Sequence, residues 1–179
     1  MIYFTADTHF GHENIIKFCN RPFSDVNEMN ECMISAWNAR VEKNDTVFII
    51  GDMFFKSEVP PAEILPLLNG KKHLIVGNHD GRWMPHLDLN RFFEGVDTYF
   101  EYRDGDRNYV MCHYPLLTYR HENKWYMIHG HIHNTTDLDF WPLLKSRPLV
   151  LNAGAEINNF MPVTFDELVV NNERFKNDN

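Results

Sequence analysis

The most restrictive feature of the sequence is a pattern in which a short apolar run stops at a turn of metal-ligating side chains. Such runs indicate buried strands. In open α/β sheets, chemistry is placed in loops beyond the carboxyl ends of the strands. The pattern therefore predicts an α/β fold that gathers these turns at one edge. The five turns are Asp7-Thr8-His9, Gly51-Asp52, Gly77-Asn78-His79-Asp80, His113 and Gly130-His131-Ile132-His133.

The turns supply carboxylate, amide and imidazole donors, a mixture that suits Mn, Fe, Co, Ni and Zn without any thiolate. In Asp-x-His and His-x-His, the two ligands are separated by one residue, so in an extended segment both point the same way. A single Asp-x-His is common by chance. Five such turns in order, each at a strand end, predict a metal site.

Length and charge limit the alternatives. A chain of 179 residues fits one domain. We expect that domain to span residues 1–170 and the polar tail 171–179 to be disordered. The net charge of −8 and the lack of a Lys/Arg stripe argue against a protein that coats long nucleic acid. No signal-like or membrane-spanning run is evident, and the three cysteines are widely spaced, so a cytoplasmic protein with reduced thiols is expected.

The spacing of apolar residues also predicts the other elements. Asn27–Arg40 has the periodicity of an amphipathic helix, and Pro60-Pro61 can open a helix that continues to about Leu68. Asp104-Gly105 is typical of a hairpin turn. Further strands are expected at Thr98–Arg103, Asn108–Cys112, Tyr126–His129, Leu149–Asn152 and Glu167–Val170.

In their order, the five turns resemble the blocks of the calcineurin-like metallophosphoesterase superfamily, which read D-x-H, G-D, G-N-H-[DE], H and G-H-x-H. The match runs from Asp7 to His133. The resemblance implies a four-layer α/β/β/α sandwich of two mixed β-sheets flanked by helices, with a dimetal centre at one edge. It implies one ion held by Asp7, His9, Asp52 and His133, and a second held by Asp52, Asn78, His113 and His131.

The same resemblance makes His79 the catalytic imidazole, with Asp80 a candidate to orient it. Two divalent ions, of which Mn²⁺ is our first expectation, would lower the pKa of a bridging water and clamp the oxygens of an in-line displacement. The expected activity is therefore hydrolysis of small phosphodiesters or phosphomonoesters by a metal-bridging hydroxide.

Departures from the superfamily pattern narrow the substrate. Phosphoprotein phosphatases of the superfamily continue the second block as G-D-x-V-D-R-G, whereas this chain has Met53-Phe54-Phe55-Lys56 after Asp52. Without that Arg, a folded phosphoprotein is a poor candidate. The likeness is closer to small bacterial or phage-type enzymes, and small diesters such as nucleotide phosphates are mildly favoured.

Two residues near the first block have two interpretations each. His12 either reaches a substrate phosphate or lies behind the ligands, or it caps the following helix. Arg21 either replaces the missing phosphate clamp or forms a surface ion pair. The aromatic residues around the turns either stack a nucleobase or wall a dry cavity; they are Phe54, Phe55, Trp83, Tyr114 and Trp125.

Two other functions remain open at this stage. A catalytically silent scaffold could keep the fold for protein binding, although such descendants usually lose ligands and here every ligand type is present. A nuclease acting on polymer ends would need a basic groove, which the sequence does not show in one dimension but folding could assemble.

Overall fold

The computed structural model describes residues 1–179 and contains two four-stranded sheets. The first sheet has the order β1-β2-β3-β4 and every neighbouring pair is parallel. Parallel strands need crossover connections, which here are α1 and α2 between β1 and β2, and α3 with a 3-10 turn between β2 and β3. The elements are β1 (Ile2–Thr5), α1 (Glu13–Phe18), α2 (Val26–Asn38), β2 (Thr46–Ile49), α3 (Pro61–Ile64), β3 (Lys71–Ile75) and β4 (Phe93–Asp97).

The second sheet has the order β5-β6-β7-β8. The expected hairpin joins β5 to β6 in antiparallel pairing, and the other two pairs are parallel. Among the named strands, antiparallel pairing occurs only in this sheet, so the expected mixed pairing is found here. The named strands of the first sheet are all parallel, and its edge strand β1 has one isolated antiparallel bridge, between Phe4 and Val163. The remaining elements are β5 (Tyr99–Asp104), β6 (Arg107–Cys112), β7 (Tyr126–His129), α4 (Trp141–Lys145), β8 (Val150–Asn152) and α5 (Phe165–Asp178).

The two sheets pack face to face and their outer faces are covered by helices. Phe4, Phe48 and Ile75 of the first sheet share a buried cluster with Tyr109, Met111, Ile128 and Leu151 of the second. Alternate residues of β2, Val47 and Ile49, point the other way and pack with Met29, Met33 and Trp37 of α2. The four-layer α/β/β/α sandwich is therefore confirmed, and the helix predicted over Asn27–Arg40 is present.

The chain end differs from the prediction. Glu167–Val170 is not a strand, and the tail expected to be disordered continues the same helix, α5, to Asp178. A capping box starts this helix, because the Thr164 side chain bonds the Glu167 backbone N–H while the Glu167 carboxylate accepts from the Thr164 N–H. Asn172 then lies buried on β8. The polar composition that suggested disorder is used for internal hydrogen bonds.

Asn172 links α5 to the end of β8. Its Oδ1 accepts from Asn152 N at 2.7 Å, and its Nδ2 donates to the carbonyls of Asn152 and Leu168, both at 2.9 Å. We expect Asn172→Ala to lower the free energy of unfolding by about 2–4 kcal/mol, because it leaves buried backbone groups unpaired. Urea denaturation of the metal-free protein measures this change.

Asn177 provides the matched control, since it is exposed on the same helix. Asn177→Ala should change the free energy of unfolding by less than about 0.5 kcal/mol. Equal destabilisation by the two substitutions would contradict the role given to Asn172.

No helix in the chain combines the length and the apolar character that crossing a membrane would require.

Candidate metal centre

The predicted ligands follow the carboxyl ends of five strands from both sheets and meet at one edge of the sandwich. Backbone hydrogen bonds join these ends directly, since Asp7 N donates to Gly51 O at 3.0 Å and Gly130 N to His113 O at 3.0 Å. The parallel bridge between Ala6 and Gly154 adds the end of β8. The sheets therefore bring together turns that lie up to 126 positions apart in the sequence, from Asp7 to His133.

One group of donors surrounds Asn78, which follows β3. Its Oδ1 lies 3.0 Å from His113 Nε2 and 2.9 Å from His131 Nδ1. Asp52 Oδ2 lies 3.4 Å from the same His113 nitrogen. These four residues are the set that the family resemblance implies for the second ion, and the structure places them together.

The other group consists of Asp7, His9 and His133, with ligand atoms all within 4.8 Å of one another. The His9 and His133 rings stack with centroids 5.1 Å apart. His9 Nε2 also lies 3.9 Å from Asp52 Oδ2. One oxygen of Asp52 therefore lies near both groups.

The chemistry of His9 shows that this donor set fits a cation. Its two ring nitrogens are buried and neither has a hydrogen-bond partner. Burial, followed by the charges of His133 and Arg21, holds the pKa of His9 well below its usual value, so the ring is neutral and offers a free lone pair. A buried polar atom without a partner is costly. A metal ion would satisfy it.

The carboxylate of Asp7 also indicates that this donor set fits a cation. It is fully buried, and this burial raises its pKa to about 6 even though His133 and His113 oppose the shift. Its oxygens accept only from His131 N, at 2.9 and 3.1 Å. A buried carboxylate with so few donors is suited to coordinating a cation.

Five of the seven predicted ligands hold a backbone conformation that L-residues rarely adopt. Their φ angles lie between 49° and 72°, in the left-handed region. Such conformations cost about 1–3 kcal/mol each and cluster at functional sites. The surrounding structure must therefore hold them in place. The five ligands are Asp7, His9, Asp52, His131 and His133.

Gly51 illustrates why the second block needs glycine before its aspartate. Its φ is +81°, and a Cβ at this position would lie 2.3 Å from His113 Nδ1. Only glycine lets the β2 turn pass this close to the imidazole.

Two of the imidazoles are oriented by acceptors on their far side. His113 Nδ1 donates to Ile50 O at 2.9 Å, and His133 Nδ1 donates to a Glu156 carboxylate oxygen at 3.0 Å. Since these acceptors have no proton to give, each Nδ1 carries the hydrogen and each Nε2 is directed to the centre. Histidine ligands in metal sites usually show this arrangement.

The charges around these rings favour their protonated forms when no cation is bound. Burial opposes the charge on His133, but its hydrogen bonds to Cys19 and Glu156 and the charge of Asp7 raise its pKa to about 11. For His113, Asp52 and Asp7 outweigh burial in the same way and raise the pKa to about 9. A cation must displace these protons, so its binding weakens as pH falls.

Glu156 belongs to the site although the sequence analysis did not identify it. It lies in a 3-10 turn, Ala155–Asn158, after β8 and outside all five blocks. Arg21 and His133 lower its pKa to about 2 despite its burial. No local pattern marks such a residue, because its partners come from positions 21 and 133.

We expect Glu156→Gln to weaken binding of the ion held by His133 by about 10–100-fold, the usual effect of losing a ligand's hydrogen-bond partner. The neutral amide stabilises the imidazole less and fixes its orientation less firmly. Competition titration with a chelating dye measures the affinity, and circular dichroism checks that the fold remains.

Glu122→Gln is the matched control, because Glu122 is exposed and pairs only with Arg147 at 3.6 Å. It should leave both affinities unchanged. Unaltered metal affinity in Glu156→Gln would show that Glu156 does not support His133.

Asp80 has a different role from the one predicted. Its carboxylate accepts from the backbone N–H groups of Asp52, Met53 and Gly77 and from the Trp83 indole, at 2.8–3.0 Å. None of these donors belongs to His79, so the expectation that Asp80 orients the His79 ring is corrected. Asp80 instead fixes the β2 and β3 turns relative to each other.

Arg21 is neither a phosphate clamp nor a surface ion pair. It is 4% exposed, and its guanidinium donates to the carbonyls of Asp7 and Thr8 and to Glu156 at 2.6–3.0 Å. With these bonds made, it has little capacity left for a substrate. Arg21 ties the β1 turn to Glu156, which corrects both interpretations made from the sequence.

His12 lies beside the centre, with its ring centroid 5.6 Å from that of His9. It precedes α1 but makes no side-chain capping bond, so the capping interpretation is wrong. Its Nδ1 is buried without a partner. Contact between His12 and a substrate stays a prediction.

His79 lies beside the donor groups and is partly exposed. Its side chain is 31% exposed and its Nε2 lies 3.9 Å from Asp52 Oδ2. Its backbone N–H donates to Asp52 Oδ1 at 2.8 Å, and its ring stacks on Phe55 with centroids 3.8 Å apart. The imidazole is therefore held next to the Asp52 carboxylate while remaining partly open to solvent.

The aromatic residues divide between the two interpretations. Phe54, Trp83 and Trp125 are buried and form walls or core. Phe55 is partly buried beneath His79. Tyr114 is 45% exposed and packs its edge against His131 with centroids 4.7 Å apart. Tyr114 is therefore the aromatic side chain available for stacking.

Comparisons with known proteins agree with this geometry. The chain is 37% identical over 172 residues to an uncharacterized protein, MJ1445, of Methanocaldococcus jannaschii, with 94% of this chain and 89% of that protein covered. It is 29% identical to the Gene 66 protein of Mycobacterium phage L5, covering 81% and 80%. Among solved structures, the protein of unknown function AQ665 from Aquifex aeolicus superimposes with a TM-score of 0.72 at 26% identity, covering 93% of this chain and 96% of that one.

A match to a family model covers nearly the whole chain. Residues 1–172 match the model described as calcineurin-like phosphoesterase, and this range includes all five turns and Glu156. The chain belongs to the calcineurin-like phosphoesterase family.

Proposed function

We propose that the protein is a two-metal phosphoesterase that hydrolyses small phosphodiesters or phosphomonoesters, with a preference for diesters. The observation that carries this proposal is the position of Asp52. One of its oxygens lies 3.4 Å from His113 Nε2 and 3.9 Å from His9 Nε2, between the two donor groups. A shared carboxylate between two donor groups is suited to holding two cations side by side.

The two donor groups define which residues would hold the ions. Bound there, two divalent ions supply an activated water and stabilise the charge on the phosphoryl oxygens. Mn²⁺ is our first choice, and the same donors accept Fe, Co, Ni or Zn. One set is Asp7, His9, Asp52 and His133, and the other is Asp52, Asn78, His113 and His131.

His79 would handle the proton of the leaving group. It is exposed enough to meet a substrate and near enough to Asp52 to act at the centre. Phe55 covers one face of its ring and limits both its rotation and the access of water. Asp80 keeps Asp52 and the His79 turn in register through the backbone. General acid catalysis by a positioned imidazole contributes about 10²–10⁴-fold to a rate.

The choice of small diesters rests on what surrounds the centre. Arg21 is buried and its guanidinium already donates to Asp7, Thr8 and Glu156. It therefore does not replace the phosphate-binding Arg that phosphoprotein phosphatases carry in their second block. Exposed Tyr114 beside His131 can stack a base or an aryl group. Nucleotide-derived diesters match both features.

The test uses metal-free protein reconstituted separately with Mn²⁺, Ni²⁺ and Zn²⁺. We expect hydrolysis of bis-p-nitrophenyl phosphate that EDTA abolishes, with slower hydrolysis of p-nitrophenyl phosphate. Cyclic nucleotides extend the panel. Binding of two ions without turnover of any ester would contradict the proposal and indicate a silent scaffold.

A further inference from the structure

A cavity of about 250 Å³ adjoins the His79 side of the centre. Its walls come from the loop after β2 and from the 3-10 turns that follow His79. The lining includes Phe55, Lys56, Ser57, Arg82, Trp83 and His86. The larger cavity of about 560 Å³ lies near Lys71 and Phe93, where β3 and β4 begin, at the end of the sheet opposite the ligands.

The cavity differs from its surroundings in charge. None of its lining residues is acidic, although the chain carries a net charge of −8. Lys56 and Arg82 take part in none of the ion pairs of the structure. Of four other cavities, three contain an acidic side chain and the fourth, around Leu117 and Phe140, is mainly apolar.

The charged groups of Lys56 and Arg82 both lie near the ring of Phe55, which stacks on His79. Lys56 Nζ lies 5.2 Å and Arg82 Cζ 5.3 Å from the centre of the Phe55 ring. Arg82 N donates to His79 O at 3.2 Å, which ties this turn to the His79 backbone. Lys56 adopts a left-handed φ of 46°, a conformation that the loop must maintain.

We infer that this cavity binds a second phosphate of the substrate, carried on the group that leaves when the phosphodiester is cleaved. The inference rests on the proposed function. If His79 protonates the leaving oxygen, the rest of the leaving group departs on its side, towards Phe55. Lys56 and Arg82 form no ion pair and no acidic side chain lines the cavity, which favours a phosphate there. The substrate class is then a nucleotide diester with a further phosphate.

The further phosphate has two possible sources, a terminal monoester or the next diester of a longer strand. The experiment compares thymidylyl-thymidine with the same dinucleotide phosphorylated at its 5′ or its 3′ end, and with the trinucleotide. We expect at least one of the compounds with a further phosphate to be cleaved with a kcat/KM roughly tenfold higher, as two exposed charge pairs can provide. The compound that gains most identifies the source.

Removal of the cations should abolish this preference. In the double variant Lys56→Met/Arg82→Met, the ratio of kcat/KM between the phosphorylated and plain dinucleotides should fall to about one. The control, Lys43→Met/Lys124→Met, removes two exposed lysines outside the cavity and should keep the wild-type ratio. A wild type without preference, or a preference that survives in the cavity variant, would overturn the inference.

A binding measurement separates this inference from the proposed function. In EDTA, the ³¹P resonance of the terminal phosphate should broaden with wild type and with the control variant, but not with the cavity variant. If the metal-loaded protein hydrolyses no ester, the proposed function fails, and the resonance still decides whether the cavity binds phosphate. If bis-p-nitrophenyl phosphate is cleaved but no broadening occurs, only the cavity assignment fails.

Discussion

Asp52→Asn should lower kcat for bis-p-nitrophenyl phosphate by about three orders of magnitude, since loss of two-metal charge stabilisation removes several kcal/mol. Asparagine keeps the size of the side chain, and its remaining oxygen can still accept the His79 backbone N–H that Asp52 Oδ1 accepts at 2.8 Å. The other position becomes an amide nitrogen, which cannot bridge two ions. Metal analysis should show fewer than two ions per chain.

Asp106→Asn is the control for this substitution. Asp106 is exposed in the hairpin between β5 and β6, at the opposite end of β6 from His113. It changes the net charge equally and should preserve both metal content and rate. An Asp52→Asn protein with two bound ions and near-normal kcat would refute the bridging role.

His79→Ala should lower kcat for a diester with an alkyl leaving group by about 10²–10⁴-fold, which is the contribution of a positioned general acid. Unlike Asp52→Asn, it should retain two ions, because the donor groups do not depend on the His79 ring. The backbone N–H that bonds Asp52 also survives the substitution. Steady-state kinetics together with metal analysis separates the two variants.

The leaving group provides a sharper test of His79. If the imidazole protonates the departing oxygen, the loss should be larger for an alkyl leaving group than for p-nitrophenolate, which leaves without a proton. His121→Ala is the control, because His121 is exposed in the loop before β7. An equal loss for both leaving groups would exclude proton donation by His79.

The structural features that could be predicted from the sequence are those determined by a local pattern of residues. Each ligand block follows an apolar run, and parallel strands must end at a common edge, so the assembly of the seven ligands could be predicted from five short segments. The α2 helix and the β5–β6 hairpin likewise have a clear period and a clear turn. The local order of apolar, polar and turn residues was sufficient to predict these features.

The parts that were wrong or missed depend on long-range partners. Polar α5 was expected to be partly disordered because its buried Asn172 cannot be distinguished from a solvated one without β8. Strand β4 was missed because Phe93–Asp97 has few apolar residues and is completed by pairing with β3.

Charged side chains near the centre show the same limit. Arg21, Asp80 and Glu156 act through contacts with backbone or side chains from other turns. Residue type and position suggested a function for Arg21 and Asp80 but not for Glu156, and the partners of all three were set by tertiary structure. The groups that a buried charged side chain will contact cannot be inferred from its neighbours in sequence.

The division of the ligands between the two sheets determines when an ion can enter. Asp7, Asp52 and Asn78 follow the first sheet, whereas His113, His131 and His133 follow the second. A nascent chain emerging from the ribosome cannot complete the two donor groups until synthesis has passed His131 for one and His133 for the other and the sheets have joined. Uptake of the proposed ions would thus be a late step of maturation, and the ions supplied at that moment, more than the donors themselves, would decide which metal the mature protein carries.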